Sequence, residues 1–362
     1  MNRILILAEQ LESGGVEKSI TALANLLVNN GYDTTIVSML KTKFIFELND
    51  KVKLIYISNL FSDKFISHNI FYRVFRKIFC YFKLQQFIKA QRDCVIISSR
   101  NEYSVLLSKY GDSSVRKIAQ LHHDYYGNKK LVRDFKYRYR NIDYFVQLTD
   151  ELKNEIIEII ESKNKYTKVI TIPNIVEKNC ENSMFTKEKN VIAVGRFCSD
   201  KNFIRLIELW KKIHDMCPDW KLILIGDGEE KTEILYKIEE LKLKDSIILT
   251  GFIHNYEVLK YFMQSSIYLM TSRSESFGIV LVEAMRHHIP IVAFDVRVGP
   301  RAIIQNGKNG FLINPNSDED FVNKTMLLIN NSDLLKQMGN DAYIGSLKYT
   351  EENILTLWKK IL

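Results

Sequence analysis

Two glutamates, Glu275 and Glu283, stand eight positions apart, and their carboxylates could accept hydrogen bonds from sugar hydroxyls. The apolar run Ile267–Met270 before them predicts a buried parallel strand, and residues 271–277 are polar and turn-rich. Gly278 then opens an amphipathic run, so Glu275 falls in a loop and Glu283 about one turn into a helix. The free N–H groups and positive dipole end of that helix favour a phosphate. Two carboxylates beside a phosphate-binding helix start together predict a binding site for a nucleotide-sugar.

Two cations follow an earlier predicted strand. Arg196 comes shortly after residues 191–194, and Lys201 precedes a predicted helix over residues 203–214. At the carboxyl end of a strand, both side chains could neutralise a leaving diphosphate, each charge-assisted bond contributing about 1.5–3 kcal/mol. A surface arginine and lysine are the alternative, and the neighbouring pattern favours the site.

A third phosphate-binding signal is the pair Gly14 and Gly15, which follows the first strand and opens an amphipathic helix. Paired glycines let the backbone approach a ligand closely, and the helix start supplies N–H donors. The segment lacks the third glycine of a dinucleotide fingerprint and the Gly-Lys-Ser ending of a P-loop. Classical NAD or ATP binding is therefore disfavoured.

Short apolar strands alternate with helical segments along both halves of the chain, which is typical of doubly wound parallel sheets. The predicted strands are residues 4–8, 34–38, 54–57, 94–98, 115–121, 144–148 and 169–172, then 190–194, 221–225, 246–250, 267–270, 291–294 and 310–313. An aperiodic polar stretch predicts a linker at residues 177–189. We therefore expect an α/β protein of two Rossmann-like domains, 1–176 and 190–348, facing a central cleft, with a C-terminal helix at 349–362 that packs back on the first domain.

The composition is that of a folded globular protein, with 46% hydrophobic and 26% charged residues among 362. No apolar run approaches the roughly 18 residues that cross a bilayer, and the apolar start is too short for a signal peptide. Five cysteines, without C-x-x-C spacing, suit free thiols in a reducing cytoplasm.

The net charge of +8 is concentrated in the first half, where residues 1–175 hold 27 Lys+Arg against 18 Asp+Glu. Between Lys64 and Arg92 lie seven basic residues, eight aromatics and no acidic residue. A helical wheel puts apolar side chains such as Phe75 and Ile78 opposite basic ones such as Lys77. This pattern favours an anionic membrane surface, with a core helix as the alternative. No nucleic-acid module accompanies the basic residues, so nucleic acid is not expected as a partner.

An ordered set of motifs resembles the family 4 retaining glycosyltransferases of the GT-B fold. The set comprises Gly14-Gly15, Gly195-Arg196 with Lys201-Asn202, Gly226-Asp227-Gly228-Glu229, Gly251-Phe252, and the span from Glu275 to Glu283. The resemblance is strong over residues 190–315 and looser before them.

The resemblance implies a role for each matching position. Glu275 is similar to the glutamate that binds hydroxyls of the transferred sugar, and Glu283 to the one that holds the ribose. Arg196 and Lys201 resemble the diphosphate clamp, and Gly15 would add backbone N–H groups. The donor pocket would also be lined, chiefly by main-chain N–H groups, by Ser276, Phe277 and Gly278.

Other positions are less tightly matched. His122 resembles a histidine that such enzymes place near the reacting sugar, but His123 is adjacent, and the strand period lets only one of them face the cleft. Asn174 resembles a cleft asparagine near the hinge, and Gly228 belongs to a glycine-rich donor loop. The segment from Asp295 to Arg301 departs from the usual double glycine by having Val298 before Gly299, as in relatives that build teichoic acids and capsules.

A metal cofactor is not expected. The D-x-D run Asp318-Glu319-Asp320 follows Ser317 and predicts a helix N-terminus, where acidic residues favour the dipole. The resemblance agrees, since GT-B enzymes characteristically use basic side chains and helix dipoles in place of a divalent ion.

We therefore expect a cytoplasmic, peripherally membrane-associated retaining hexosyltransferase. The expected donor is a UDP-sugar and the expected acceptor an anionic lipid-linked saccharide of a surface glycan such as a capsule or O-antigen. The alternatives are a transferase acting on a polyol-phosphate (teichoic-acid-like) polymer, a UDP-sugar 2-epimerase of the same fold, and a non-catalytic glycan- or lipid-binding partner.

Overall fold

A computed structural model describes residues 1–12, 14–41, 46–57, 70–122, 124–176 and 187–362 of the chain. These residues form two compact units. The first contains the described residues up to 176 together with Glu351–Leu362, and the second runs from residue 187 to Thr350. Most of the predicted linker, and His123, lie outside the described residues.

The first unit is built on a seven-stranded parallel sheet in the order β3-β2-β1-β4-β5-β6-β7. The strands are β1 (Arg3–Ala8), β2 (Asp33–Ser38), β3 (Lys53–Tyr56), β4 (Val95–Ser98), β5 (Arg116–Gln120), β6 (Tyr144–Gln147) and β7 (Lys168–Thr171). The helices described here are α1 (Gly15–Asn29), α2 (Ile70–Ala90), α3 (Asn101–Tyr110), α4 (Lys129–Tyr137) and α5 (Asp150–Ile160). The strand order is that of a Rossmann-like sheet.

Both faces of this sheet are covered, which explains why its strands are continuous apolar runs. Along β1, Ile4 and Ile6 point into one core while Leu5 and Leu7 point into the other. Each of these side chains is at most 1% exposed.

The helix α2 has two apolar stripes, and the one that it buries is not the apolar side that the sequence predicts for a lipid surface. Cys80, Leu84 and Ile88, spaced four apart, pack into the core. Phe75 and Ile78, on the predicted apolar side, are 61% and 64% exposed. The helix is thus anchored along one stripe and shows a second apolar stripe on its surface.

The second unit holds a six-stranded parallel sheet in the order β10-β9-β8-β11-β12-β13. Its strands are β8 (Asn190–Val194), β9 (Lys221–Ile225), β10 (Ile247–Gly251), β11 (Ile267–Met270), β12 (Ile291–Phe294) and β13 (Gly310–Ile313). The helices are α6 (Phe203–Met216), α7 (Lys231–Glu240), α8 (Asn255–Gln264), α9 (Ile279–Arg286), α10 (Pro300–Ile303), α11 (Asp318–Asn330) and α12 (Ser332–Ser346). Its order again reverses in the middle of the sheet, so both units are Rossmann-like.

The last helix, α13 (Glu351–Trp358), belongs to the first unit although it follows the second in sequence. Ile354, Trp358 and Ile361 join the core beside α1. The helix ends four residues before the predicted Leu362, because the bond from Ile361 N to Trp358 O already closes a tighter turn. In the described part of the chain, no helix is both long and apolar enough to span a membrane.

Candidate functional site

The second sheet changes direction between β8 and β11, which are hydrogen-bonded neighbours although two strands separate them in sequence. In open α/β sheets, ligands bind outside the carboxyl ends of the strands at such a switch point. The loop after β8 carries Arg196 and Lys201, and the loop after β11 carries Glu275. Predicted cations and a predicted carboxylate therefore come from the two strands that flank the switch point.

Glu275 and Lys201 form an ion pair, although 74 positions separate them in the sequence. The Glu275 side chain is 7% exposed and that of Lys201 is 27% exposed. The Ser272 hydroxyl donates a second hydrogen bond, of 2.9 Å, to the same carboxylate oxygen. A carboxylate this buried is stable only with such partners, and they fix its orientation for a ligand.

Polar contacts tie the two loops together. The Arg273 N–H donates to the Asp200 carbonyl at 2.7 Å, and the Thr271 hydroxyl donates to the Asn202 carbonyl at 3.0 Å. The Asn202 amide returns a bond of 3.3 Å to the Thr271 carbonyl. These bonds fix the position of the Lys201 loop relative to the Glu275 loop. Sequence analysis missed Arg273, Thr271 and Ser272 in this role, since only their neighbours carried a recognisable pattern.

Arg196 is exposed near the start of the loop that follows β8. Its guanidinium hydrogen-bonds the Cys198 side chain, which raises the pKa of Arg196. The glycine-rich loop of Gly228 packs against the loop that carries Arg196, since a Cβ on Gly228 would lie 2.3 Å from the Phe197 carbonyl oxygen. Only glycine fits there, so Gly228 acts through close packing of the two loops.

The second predicted glutamate lies in α9. Gly278, with φ of 84°, is the N-cap of this helix, and Glu283 is 6% exposed about one turn inside it. The neighbouring Phe277 side chain is 3% exposed and packs edge-on against Tyr349, with ring centroids 5.5 Å apart. Ser276 is half-buried. Phe277 can therefore meet a ligand only through its backbone.

Gly299 supports Glu275 from the next loop. Its φ is 78°, and an added Cβ would lie 2.9 Å from the Glu275 Cβ and 3.1 Å from the Phe277 carbonyl oxygen. The Val298-Gly299 variation noted in the sequence thus retains glycine at the position that contacts the site.

The remaining predicted residues lie in the first unit, at the carboxyl ends of its strands. Gly14 is the N-cap of α1 and Gly15 its first residue. His122 follows β5 and is 8% exposed. Asn174 follows β7, is also 8% exposed, and its Oδ1 atom has no hydrogen-bond partner. His123 lies outside the described residues, so the alternative between the two histidines stays open.

The acidic D-x-D run forms a helix start. The Ser317 hydroxyl accepts a bond of 3.3 Å from the Asp320 N–H at the beginning of α11, and Asp318 accepts one of 2.9 Å from Arg205 Nε. Across the described ranges, no group of three or more His, Cys, Asp or Glu side chains is arranged to hold a metal ion.

Comparison with known proteins identifies the family. Residues 176–344 match the family described as "Glycosyl transferases group 1". The chain is 32% identical over 378 residues to the amylovoran biosynthesis glycosyltransferase AmsD of Erwinia amylovora, with 100% of both chains covered. It is 26% identical to the poly(ribitol-phosphate) alpha-N-acetylglucosaminyltransferase of Staphylococcus aureus, over 77% of this chain and 57% of that protein.

Solved structures agree on the fold. A crystal structure of a mutant TarM from S. aureus, with UDP and alpha-GlcNAc-glycerol bound, superimposes with a TM-score of 0.81 at 17% identity. The match covers 100% of this chain and 99% of TarM. The expected fold class is therefore confirmed, and the chain belongs to the group 1 glycosyl transferases, as a glycosyltransferase of the GT-B fold.

Proposed function

We propose that this chain transfers a hexose or N-acetylhexosamine from a UDP-sugar to an anionic lipid-linked saccharide in surface-glycan biosynthesis, with retention of the anomeric configuration. The observation that carries the proposal is the pairing of Glu275 with Lys201 at the switch point of the second sheet, where the loop that holds Lys201 also carries Arg196. A carboxylate that can accept hydrogen bonds from hydroxyls, paired with a cation, suits a sugar joined to a diphosphate.

The reaction we propose is front-face departure. Glu275 accepts hydrogen bonds from the transferred sugar, and Glu283 holds the nucleotide ribose. The bond between the anomeric carbon and the diphosphate oxygen breaks, and its electron pair leaves with the diphosphate toward Arg196 and Lys201. The same oxygen takes the proton of the acceptor hydroxyl as that hydroxyl bonds to the anomeric carbon, so no enzymic nucleophile is needed. Because the two side chains supply the positive charge, we propose that no metal ion is required.

The charge of the first unit and the surface of α2 both favour an anionic, lipid-linked acceptor. Residues 1–175 have a net charge of +9, from 27 Lys+Arg and 18 Asp+Glu, which favours an anionic acceptor. Phe75, Ile78 and Phe82 are 54–64% exposed on α2, and Lys77 and Lys83 are exposed beside them. Such a surface suits anionic lipid, so we propose peripheral attachment to the cytoplasmic face of the plasma membrane.

A polyol-phosphate polymer is the second candidate acceptor. It is favoured by the relative named as a poly(ribitol-phosphate) transferase and by the alpha-GlcNAc-glycerol bound to TarM. Such a polymer is also anionic and suits the same basic unit.

A donor panel tests the proposal. The protein is incubated with UDP-, GDP- and ADP-sugars, each with membrane lipid extract, with poly(ribitol phosphate) or with no acceptor, and nucleotide release is followed. We expect release to depend on a UDP-sugar and one acceptor, to survive EDTA, and to give an α-linked product from an α-linked donor by NMR. Conversion of the free UDP-sugar without acceptor would instead indicate the epimerase. The absence of nucleotide release with every donor would contradict the proposal.

Glu275→Gln tests the central residue. This change keeps the shape of the side chain but removes its charge, so the hydrogen bonds to the sugar and the pairing with Lys201 weaken. We expect kcat to fall about 100-fold or more, a loss typical of removing one preorganised polar contact. Glu239→Gln is the matched control, because Glu239 is a 69% exposed residue paired with Lys244. A Glu275→Gln protein with wild-type turnover would contradict the role proposed for Glu275.

A further inference from the structure

Three buried polar atoms without hydrogen-bond partners lie along the carboxyl edge of the first sheet. They are Gln147 Nε2, Asn174 Oδ1 and Glu151 Oε2. Gln147 is 3% exposed and Asn174 is 8% exposed. Leaving such groups unpaired costs free energy, so a native protein rarely keeps them without a ligand or ordered water.

The topology brings the three residues to one region. Gln147 is the last residue of β6, and Glu151 lies in the first turn of α5, four positions later. Gln147 is in register with Thr171 of the adjacent strand β7, and its carbonyl accepts a 2.9 Å bond from Ile172 N. Asn174 follows three residues after Thr171. Adjacent strands are about 4.8 Å apart, so one small molecule could reach along this edge.

The chemistry of the three atoms restricts the ligand. An amide N–H needs an acceptor, whereas an amide oxygen and a carboxylate oxygen need donors. A phosphate could pair only with Gln147, and a cation only with Asn174 and Glu151. A hydroxyl both donates and accepts, so several hydroxyls of one molecule satisfy all three.

We propose that Gln147, Asn174 and Glu151 form a binding site for the polyhydroxyl portion, sugar or polyol, of the acceptor. This inference rests on the proposed function, since it names the residues that receive the acceptor. It assigns that role to the first unit, whereas Glu275 and Lys201 serve the donor in the second. Gln147 and Glu151 belong to no recognisable sequence motif. They are identified only by their buried, unpaired polar atoms at the carboxyl edge of the first sheet.

Gln147→Met is the first test. Methionine matches the shape of glutamine but has no amide, so removing an unpaired buried group should leave Tm unchanged or raise it. We expect the KM for the acceptor to rise about tenfold, the fold-change of one lost hydrogen bond, while the KM for the donor changes less than about twofold. Asn174→Leu should act in the same way. Gln337→Met, on the exposed face of α12, is the matched control.

A titration separates this inference from the proposed function. The Gln147 side-chain amide signal of the 15N-glutamine-labelled protein is assigned by its loss in Gln147→Met, and ribitol, methyl α-D-glucopyranoside or UDP is added. We expect the polyhydroxyl probes to shift the signal and UDP to leave it in place. A shift with UDP, no shift with either polyhydroxyl probe, or an unchanged acceptor KM in Gln147→Met would each overturn the site in favour of a nucleotide contact or ordered water. The titration needs no turnover, so it decides the site even if no donor is used.

Discussion

At the scale of single residues, Glu275 is held from three directions. Lys201 and Ser272 bind its carboxylate, and Gly299 lies against its Cβ position. Preorganisation of this kind allows a carboxylate to meet a sugar without reorganising during the reaction. The ammonium of Lys201 already lies beside the carboxylate, so a diphosphate that binds Lys201 would place its sugar next to Glu275.

Gly299→Ala tests the packing against Glu275. The new methyl group would approach the Glu275 Cβ to 2.9 Å, so the glutamate must move. We expect kcat to fall between about 10- and 100-fold, as displacements near 1 Å do in active sites. Gly307→Ala is the matched control, because Gly307 has the same φ of 78° with nothing within 4 Å of its Cβ position. Equal turnover losses in the two variants would show that backbone strain, and not the contact with Glu275, is responsible.

At the scale of elements, the helix α9, which carries Glu283, ends at a largely buried histidine. His287 caps the C-terminus of α9, the helix of Glu283, and its ring stacks on Phe262 with centroids 5.7 Å apart. Burial, with nearby Lys187, lowers the pKa of His287 from 6.5 to about 4. The C-terminal end of α9 is therefore sensitive to acid.

The sign of this effect follows from proton binding. Between pH 4 and 6.5 the unfolded chain binds a proton at His287 that the folded chain does not. Stability is therefore lost as the pH falls through this window, by on the order of 3 kcal/mol. His287→Phe keeps the stacking and removes the titration, so we expect a smaller difference between urea midpoints at pH 4.5 and 7. An unchanged difference would show that other groups cause the acid sensitivity.

The helix α13 is a second element whose role can be isolated. Trp358 is 1% exposed in the core of the first unit. Trp358→Ala should lower the free energy of unfolding of that unit by about 3–5 kcal/mol, the usual cost of such a cavity. Hydrogen exchange measured by mass spectrometry should show the loss of protection in residues 1–176 and not in 187–350. Lys359→Ala, an exposed neighbour, is the control, and an equal effect of both changes would contradict the assignment.

At the scale of the whole molecule, net positive charge is concentrated in the first unit. The +9 charge of residues 1–175 contrasts with −1 for the rest, where 24 Lys+Arg meet 25 Asp+Glu. The exposed apolar stripe of α2 lies in the same unit. The proposed division of labour therefore gives membrane and acceptor to one unit and the donor to the other.

A double change in α2 tests the membrane proposal. Phe75→Ser with Ile78→Ser removes two side chains that are 61% and 64% exposed. Burying each in a bilayer interface contributes about 1.5–3 kcal/mol, so we expect binding to phosphatidylglycerol vesicles to weaken at least about tenfold in a sedimentation assay. Added salt should weaken the wild-type binding, because Lys77 and Lys83 contribute through charge. Tyr236→Ser, 67% exposed in the second unit, should bind as the wild type does. Undiminished vesicle binding by the double variant would contradict the proposal.

The sequence alone determined the strands and the type of fold. Within the described residues, each predicted strand is present, and its ends differ by at most one position from those predicted, as for residues 115–121, which form Arg116–Gln120. This succeeds because strands buried on both faces must be continuous apolar runs between turn residues, which is a local signal. The candidate donor residues Glu275 and Glu283 could be predicted for a similar reason, since they lie in one short segment of the sequence.

Tertiary structure decided what depends on residues that are distant in the chain. The pairing of Lys201 with Glu275 arises because β8 and β11 are adjacent in the sheet, and no local pattern encodes that contact. The face that α2 buries was likewise decided by packing, because the helix has two apolar stripes. The helical wheel alone does not show which of the two contacts the core. The unpaired amide of Gln147 was invisible for the same reason: whether a polar atom is satisfied depends on every neighbour that folding brings to it.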